Sequence, residues 1–349
     1  MRIHRSDGRI STSLKSLLFG SLMLLFIPSV QAAAFYLSEF GTPGSLGTAG
    51  VANTTNTFGA DSAFTNPAGM TGLKQDTILG GMQLLIPDIK FDSSIAEAGG
   101  KDGGNAGNVA AIPSFFAVKM LDDRTRIGFS ITGPLGGGMN YGDDFVGRYG
   151  AQKIELTGLA VSPSLAYRVT DRLSLGAGVS ALYTNFDETI AINNNAAQGP
   201  VPLPDSNIKL ENMDDWSWQG FAGLTFQLTD QLLLGAVYRS KSNVNLSGDL
   251  NIRNWQLPIP EPTANSAKLQ WDNPQTVEVG LRYKLNEEWH LMANADWEEW
   301  SKFSDNYLSV QNGVLNPAAA LDRDQEVRFK GKFDTNLILF VGGTVRYVF

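Results

Sequence analysis

Residues 158–183 read Gly-Leu-Ala-Val-Ser-Pro-Ser-Leu-Ala-Tyr-Arg-Val-Thr-Asp-Arg-Leu-Ser-Leu-Gly-Ala-Gly-Val-Ser-Ala-Leu-Tyr. Apolar residues alternate with small or polar ones on both sides of a tight turn at 170–172. Because successive strand side chains point to opposite faces, this stretch predicts a β-hairpin with one apolar and one small, polar face. The hairpin fits a soluble sandwich, and it equally fits a membrane barrel whose apolar face meets lipid.

The last strand favours the membrane barrel. From Leu337 the odd-numbered residues are mostly apolar or aromatic, and the final residue is Phe349. This pattern is expected of a last strand that closes a barrel against the first and leaves no edge. Short turns at 122–124, 170–172, 229–230 and 286–287 alternate with long connections, as in outer-membrane barrels. The sequence therefore predicts an all-β fold, a transmembrane antiparallel β-barrel of about ten strands.

Residues 1–32 have the composition of a signal peptide. Basic residues precede the apolar run 17–30, and small residues follow at Val30 and Ala32. A membrane anchor is the alternative, but the run is shorter than the ~20 residues that a spanning helix needs. We expect export and a mature chain that begins at Ala33.

Composition excludes several classes of function. The chain has no cysteine, which excludes disulfides, thiolate zinc sites and cysteine nucleophiles. Without residues 1–32, which hold four basic residues and one acidic residue, 23 basic residues face 34 acidic ones, so no nucleic-acid partner is expected. The one histidine after residue 32 is His290. With no histidine–carboxylate cluster beside it, we expect neither an enzyme nor a metal or other cofactor.

Three stretches resemble the FadL/TodX-like family of outer-membrane transporters of long-chain fatty acids and aromatic hydrocarbons. The first is 60–70, which contains Asn66-Pro67-Ala68. The second is 133–149, where Gly-Pro-Leu-Gly interrupts the third strand, and the third is the hairpin 161–178. The resemblance implies three segments, a signal peptide (1–32), an N-terminal plug or hatch of turns and short helices (33–75) and a barrel (76–349).

The resemblance also implies roles for particular residues. Substrate would bind in the lumen and leave sideways through the broken third strand, for which a plain β-bulge is the alternative. Inward-facing arginines could bind a fatty-acid carboxylate, or could instead pair with Glu278, Asp296 and Glu298. The predicted plug and ligand-binding residues are Phe35, Phe40, Phe58, Phe64, Asn66, Pro67 and Ala68. The predicted exit residues are Gly133, Pro134 and Gly136, and the carboxylate candidates are Arg168, Arg239, Arg282 and Arg346.

The expected function is transport of hydrophobic small molecules across the bacterial outer membrane, and a narrow structural or passive barrel is the alternative. Expected partners are the substrate, outer-membrane lipid and lipopolysaccharide, and the barrel-assembly machinery through Phe349. Family members usually have fourteen strands, about four more than this sequence predicts. A ten-stranded lumen leaves little room for a plug of about 40 residues.

Overall fold

The computed structural model of the chain describes residues 41–92, 99–194, 203–256, 261, 263–311, 325–330 and 336–345. All of them belong to one unit, residues 33–349. The predicted signal peptide and the predictions for Phe35, Phe40, Arg346 and Phe349 lie outside the described residues. Among the described residues, no helix is both long enough and apolar enough to cross a membrane.

Most of the described residues lie in fifteen antiparallel β-segments. They are β1 (Thr77–Leu85), β2 (Ala110–Met120), β3 (Thr125–Thr132), β4 (Gly136–Asn140), β5 (Lys153–Arg168), β6 (Leu173–Ile192), β7 (Ser206–Gln227), β8 (Leu232–Arg239), β9 (Ser242–Arg253), β10 (Ser266–Asn273), β11 (Thr276–Lys284), β12 (Trp289–Glu298), β13 (Asp305–Gln311), β14 (Gln325–Lys330) and β15 (Asn336–Val345). Some consecutive segments share a neighbouring strand, since β3 and β4 both pair with β5, and β8 and β9 both pair with β7.

The strands pair in two connected rows. The first row has the order β1-β2-β3-β5-β6-β7-β8-β11-β12-β15, and it includes the short turns. In the second row β4 pairs with β5, β9 with β7 and β10, and β13 with β10 and β14. We call the end with short turns the turn end, and the end with the long connections the loop end. A short helix, α1 (Pro43–Thr48), contacts both β1 and β15, the two ends of the first row.

The faces of the first row alternate as the sequence predicts. In β5 Leu165 and Tyr167 are 51% and 46% exposed, whereas Ser162 and Ser164 are buried. Across the sheet Ser162 and Ser180 are in contact, with their Oγ atoms 2.7 Å apart. A surface of large apolar side chains around an interior of small polar ones is the pattern of a barrel in lipid.

Some strand boundaries differ from those expected. The predicted first strand continues to Phe91, but β1 ends at Leu85. The predicted break spans 133–138, but Gly136–Asn140 form β4, so the interruption comprises only Gly133, Pro134 and Leu135. Sequence analysis also missed β9 and β10, because their alternation was attributed to connections between strands. These two segments belong to the loop end.

Candidate functional site

Residues 41–73, here called the plug segment, line the inner face of the first row. They form α1, a 3-10 turn at Asn53–Thr55, the helix α2 (Ser62–Thr65) and a second 3-10 turn at Pro67–Gly72. None of these elements is longer than six residues. Such a segment cannot be stable by helix propensity alone, so its conformation depends on contacts with itself and with the wall.

Asp61 organises the interior of the plug segment. Its carboxylate is buried and accepts hydrogen bonds from Thr42 Oγ1 at 2.9 Å, from the Gly44 backbone N–H at 3.0 Å and from Asn56 Nδ2 at 2.8 Å. Gly44 and Gly59 lie so close that a Cβ on either would overlap this carboxylate. The acceptor-only side chain therefore joins the beginning and the middle of the plug segment through backbone and side-chain donors.

Asn66 joins the plug segment to the wall. Its Oδ1 accepts from the Ala68 N–H at 3.1 Å and thereby caps the 3-10 turn that begins at Pro67. Its Nδ2 donates to the carbonyl of Thr54 at 2.6 Å and to that of Leu224 in β7 at 3.1 Å. The predicted residues Asn66, Pro67 and Ala68 thus lie together, buried, against the wall.

Glycines in the wall make room for the plug segment. A Cβ on Gly235 would overlap the Thr54 carbonyl oxygen, and one on Gly223 would overlap Asn66 Oδ1. The same holds where four further wall glycines meet the plug segment, namely Gly81, Gly128, Gly176 and Gly280. Four of the six pair across the sheet, as Gly176 with Gly223 and Gly235 with Gly280. Because these positions lack a side chain, the plug segment packs directly on the wall, with its backbone against Gly176 and Gly235 and with side chains against the other four.

Four wall arginines donate to carbonyl oxygens of the plug segment, one each from β3, β5, β8 and β11. Nη2 of Arg126 donates to Leu73 at 3.3 Å, and Nη1 of Arg282 donates to Thr55 at 2.9 Å. In the same way Arg168 donates to Thr71, and Arg239 donates to Phe64 and Thr65. Bonds from charged donors are stronger than neutral ones, so these contacts fix the plug segment from four strands.

These contacts give the wall arginines a partner that sequence analysis did not consider. In the described contacts Arg168, Arg239 and Arg282 donate to the plug backbone. Sequence analysis missed a plug partner because a backbone carbonyl leaves no mark in the sequence. Arg126 was missed too, although its even position in β3 puts it on the same inner face as Ser130.

A cluster of buried apolar side chains fills the loop end. We call it the loop-end cluster; none of its residues comes from the described plug segment. Three aromatic rings run through it, with Trp271 6.1 Å from Phe186 and 6.1 Å from Phe303 between ring centroids. Its buried members are Leu156, Leu210, Met213, Val244, Leu246, Leu250, Ala264, Ala267, Trp271 and Val310. Leu135, Phe186, Ile208, Leu269, Phe303 and Leu308 pack against them.

The outer face of the loop end is polar. In β9 Asn243, Asn245 and Ser247 are exposed, while Val244 and Leu246 are buried. This is the reverse of β5 at the turn end, where the apolar residues are exposed. A transmembrane strand needs about 9–11 residues, and β6 and β7 have 20 and 22. The long strands therefore reach beyond the lipid and enclose an apolar interior there.

The wall has a gap beside the interruption of the third strand. The described pairing of β2 with β3 covers Phe115–Met120 only, so residues 110–114 pair with β1 alone. Pro113 lies in this stretch and has no N–H to donate. On the other edge Leu135 accepts a hydrogen bond from the Gly158 N–H in β5 at 2.9 Å. We call the space between 110–114 and Gly133–Leu135 the side gap.

The predicted exit residues do not all border this gap in the same way. Gly133 and Pro134 lie in the interruption, and a Cβ on Gly133 would approach Ile112 Cγ2 to 3.0 Å. Gly136 instead pairs with Thr157 in the β4–β5 ladder. Leu135, which sequence analysis did not single out, borders the gap and also packs against the loop-end cluster.

The plug phenylalanines within the described residues lie away from the loop-end cluster. Phe58 is 59% exposed and lies 5.0 Å below the Arg282 guanidinium, measured to the ring centroid. Phe64 is buried in a second cluster with Met70 and Phe116, and its ring centroid is 4.6 Å from the Arg239 guanidinium. Neither of these two phenylalanines belongs to the loop-end cluster, whose members come from the wall and its connections.

An ion-pair network ties the connections together at the loop end. Arg148 Nε lies 2.6 Å from Asp205 Oδ2, and Arg148 also donates to the carbonyls of Gly99 and Phe145. The Tyr149 hydroxyl donates to Asp205 at 3.1 Å. Burial, together with this hydrogen bond, raises the pKa of Tyr149. Arg148 and Tyr149 lie in the stretch 133–149 that carries the family resemblance, and they join it to Gly99 and Asp205.

These features define a plugged β-barrel with a lipid-facing outer surface. Residues 24–333 match the model of the family described as "Outer membrane protein transport protein (OMPP1/FadL/TodX)". The chain belongs to this family. It is an outer-membrane β-barrel of a family of transport channels and not an enzyme.

Relatives support the same assignment. The long-chain fatty acid transport protein of Salmonella typhi is 25% identical over 302 residues, which cover 80% of this chain and 69% of that protein. A crystal structure of a Pseudomonas aeruginosa FadL homologue has a TM-score of 0.70 at 23% identity, covering 89% of this chain and 77% of that one. For the Ralstonia pickettii toluene transporter TbuX the TM-score is 0.63 at 19% identity, covering 84% and 79%. These structural likenesses show the barrel fold.

Proposed function

We propose that the protein takes up hydrophobic small molecules, long-chain fatty acids first among them, by binding them in the loop-end cluster and releasing them sideways into the membrane through the side gap. The plug segment stays seated and closes the direct route to the turn end. The observation that carries this proposal is the position of Leu135, which lies at the rim of the side gap and packs against the loop-end cluster.

The apolar interior supports the binding step. A hydrophobic solute that leaves lipid for water loses about 25 cal/mol for each Å² of apolar surface, so a water-filled pore serves it badly. The side chains of Met213, Leu246 and Trp271 offer apolar surface beyond the lipid, where a solute arrives from outside. These side chains would move apart to admit an apolar solute. The free-energy cost would be small, because contacts among apolar side chains would be exchanged for contacts with an apolar solute.

Two buried donors support an acid head group. Among the described residues, Arg239 Nη1 and Thr276 Oγ1 have no hydrogen-bond partner, although both residues are over nine-tenths buried. The two residues pair across the β8–β11 ladder. A carboxylate would accept from both donors, which removes the cost of leaving them unpaired. Of the predicted carboxylate candidates we therefore propose Arg239, while Arg168 and Arg282 hold the plug segment.

Contacts with lipid belong to the same proposal. Leu165, Trp218 and Ile78 expose apolar surface on the outer face, where outer-membrane lipid and lipopolysaccharide would cover it. Assembly through Phe349 remains a prediction from the sequence. A solute that passes the side gap would enter this lipid layer without crossing water.

Deletion of Pro134 tests the exit. Thr132 pairs with Ala160 and Gly136 with Thr157, so three residues in the third strand face two in β5. Deleting Pro134 leaves two residues on each strand between these two pairs, so that β3 and β4 can form one continuous strand. We expect uptake of labelled palmitic acid to fall at least tenfold in cells that lack another such transporter, with normal amounts of the protein in the outer membrane.

The matched control is Gly137→Val in the same segment. Gly137 is exposed, and a Cβ there has no atom within 4 Å, so this variant should transport normally. If deletion of Pro134 leaves uptake unchanged, the side gap is a plain bulge and the proposed route is wrong. If the unmodified protein itself gives no uptake above cells without it, the narrow passive barrel is the better account.

A further inference from the structure

The side gap has on its inner side a buried polar residue without a hydrogen-bond partner among the described residues. Gln83 in β1 is 4% exposed, and within the described part of the chain neither its Nε2 nor its Oε1 has a hydrogen-bond partner. Its neighbours Met82 and Leu84 are 74% and 60% exposed, so alternation places Gln83 on the inner face. A buried amide with both groups unpaired is destabilising, because each group has lost its hydrogen bonds with water and gained none in the protein.

Register places Gln83 at the gap. It pairs with Ile112 in β2, and directly opposed side chains in an antiparallel pair lie about 5 Å apart at Cβ. Ile112 belongs to the stretch of β2 that has no partner in β3, and its Cγ2 reaches toward Gly133. A solute that moves from the loop-end cluster toward the lipid through this space would pass the Gln83 amide.

The plug segment forms the floor of the same space. Thr132 at the end of β3 donates to the carbonyl of Gly41, and Pro43 lies against Gly81, the inner-face residue next to Gln83. A head group at Gln83 is therefore bounded below by the plug and beside by Ile112. Ser114 and Thr132 are also polar residues of this space, but their hydroxyls donate to the carbonyls of Gly81 and Gly41, whereas the Gln83 amide has no partner among the described residues.

We infer that Gln83 is the residue that receives the polar head group of the solute as it leaves through the side gap. This inference rests on the proposed function. A primary amide offers one acceptor and two donors, so its best partner is a group that both donates and accepts. The neutral carboxylic acid does both and forms two hydrogen bonds with an amide, whereas a carboxylate can only accept. Gln83 therefore favours exit of the acid in its uncharged form, the form that enters lipid at the lower cost.

The test compares two solutes of equal chain length, labelled palmitic acid and labelled hexadecane, which lacks a head group. Gln83→Leu keeps the volume and removes both polar atoms. We expect it to lower uptake of palmitic acid about tenfold, because the head group must then cross the gap without a partner. Uptake of hexadecane should stay unchanged. Thr184→Val is the matched control, since Thr184 is also buried with an unpaired Oγ1 but lies in β6.

Each other result has a clear meaning. Equal loss of both solutes in Gln83→Leu means that the substitution blocks the gap, and unchanged uptake of palmitic acid means that the amide serves no head group; either overturns the inference. The deletion of Pro134 separates this inference from the proposed route. Suppose that the deletion reduces uptake of both solutes, while Gln83→Leu changes uptake of palmitic acid and of hexadecane to the same extent. The route through the side gap is then supported, and the proposed role of Gln83 is wrong.

Discussion

At the turn end the barrel is filled by the plug segment, and at the loop end it is filled by apolar side chains of the wall and its connections. The turn end holds its filling with wall glycines and with arginines that donate to carbonyls, as at Gly235 and Arg282. The loop end holds Met213 and Leu246 by apolar contact alone. The first kind of filling is fixed, and the second can exchange side-chain contacts for contacts with a solute.

The outer surface is apolar at the turn end and polar at the loop end. Leu165 at the turn end is half exposed and faces lipid, whereas Asn245 at the loop end is exposed and polar. One chain thus carries both kinds of alternating strand, and the position along the strand decides which face is apolar. The apolar interior therefore lies beyond the lipid, and the plug contacts lie within it.

The largest effect is expected in the interior of the loop end. Leu246 is fully buried, so Leu246→Ala should lower the free energy of unfolding by about 2–5 kcal/mol. Leu165→Ala, on the lipid face, should cost about 1 kcal/mol or less. Urea titrations of both variants refolded in lipid vesicles measure the difference. Equal costs would mean that the loop end has no apolar core of its own.

The second effect concerns the outer surface. Leu165→Arg places a charge in lipid and should cost about 2–4 kcal/mol. Asn245→Arg lies on the same outer side but beyond the lipid, and it should change the free energy of unfolding by less than about 0.5 kcal/mol. The same refolding titration compares them. A comparable cost for Asn245→Arg would place β9 in the membrane and contradict the assignment of the loop end.

The third effect concerns the plug seat. Gly235→Val would push the Thr54 carbonyl away and should cost about 1–3 kcal/mol. Because the plug segment would no longer fit, single-channel conductance in planar bilayers should rise. Gly220→Val in β7 is the control, since a Cβ at Gly220 comes no closer than 3.9 Å to its neighbour, Ser240 Oγ. If Gly235→Val changed neither the free energy of unfolding nor the conductance, the plug segment would not be packed against the wall glycines.

Sequence analysis predicted the strands in which apolar and polar side chains alternate at every second residue. The faces of β5 follow from the alternation around Leu165, and the break near Pro134 follows from the missing N–H. The same alternation occurs in β9, but period two alone does not say whether an apolar face meets lipid or an interior. For this reason the loop-end cluster, the main apolar site, was not predicted.

The contacts that hold the plug segment could not be predicted from the sequence, for a different reason. Arg168 and Arg282 were recognised as inward cations, but their partners are carbonyl groups, which every residue has. Gly235 and Gly280 were not singled out, because only the path of the plug segment shows why no side chain fits there. Gln83 was overlooked because a lone glutamine on an inner face is ordinary until its lack of a partner is seen.

Photolabelling tests the central claim, that solute binds at the loop end above a seated plug. A palmitic acid that carries a diazirine near its methyl end is bound to the purified protein, irradiated, and the labelled peptides are identified by mass spectrometry. We predict labels on peptides that contain Met213, Leu246 or Trp271. Labels confined to the plug segment, residues 41–73, with none in the loop-end cluster, would contradict it.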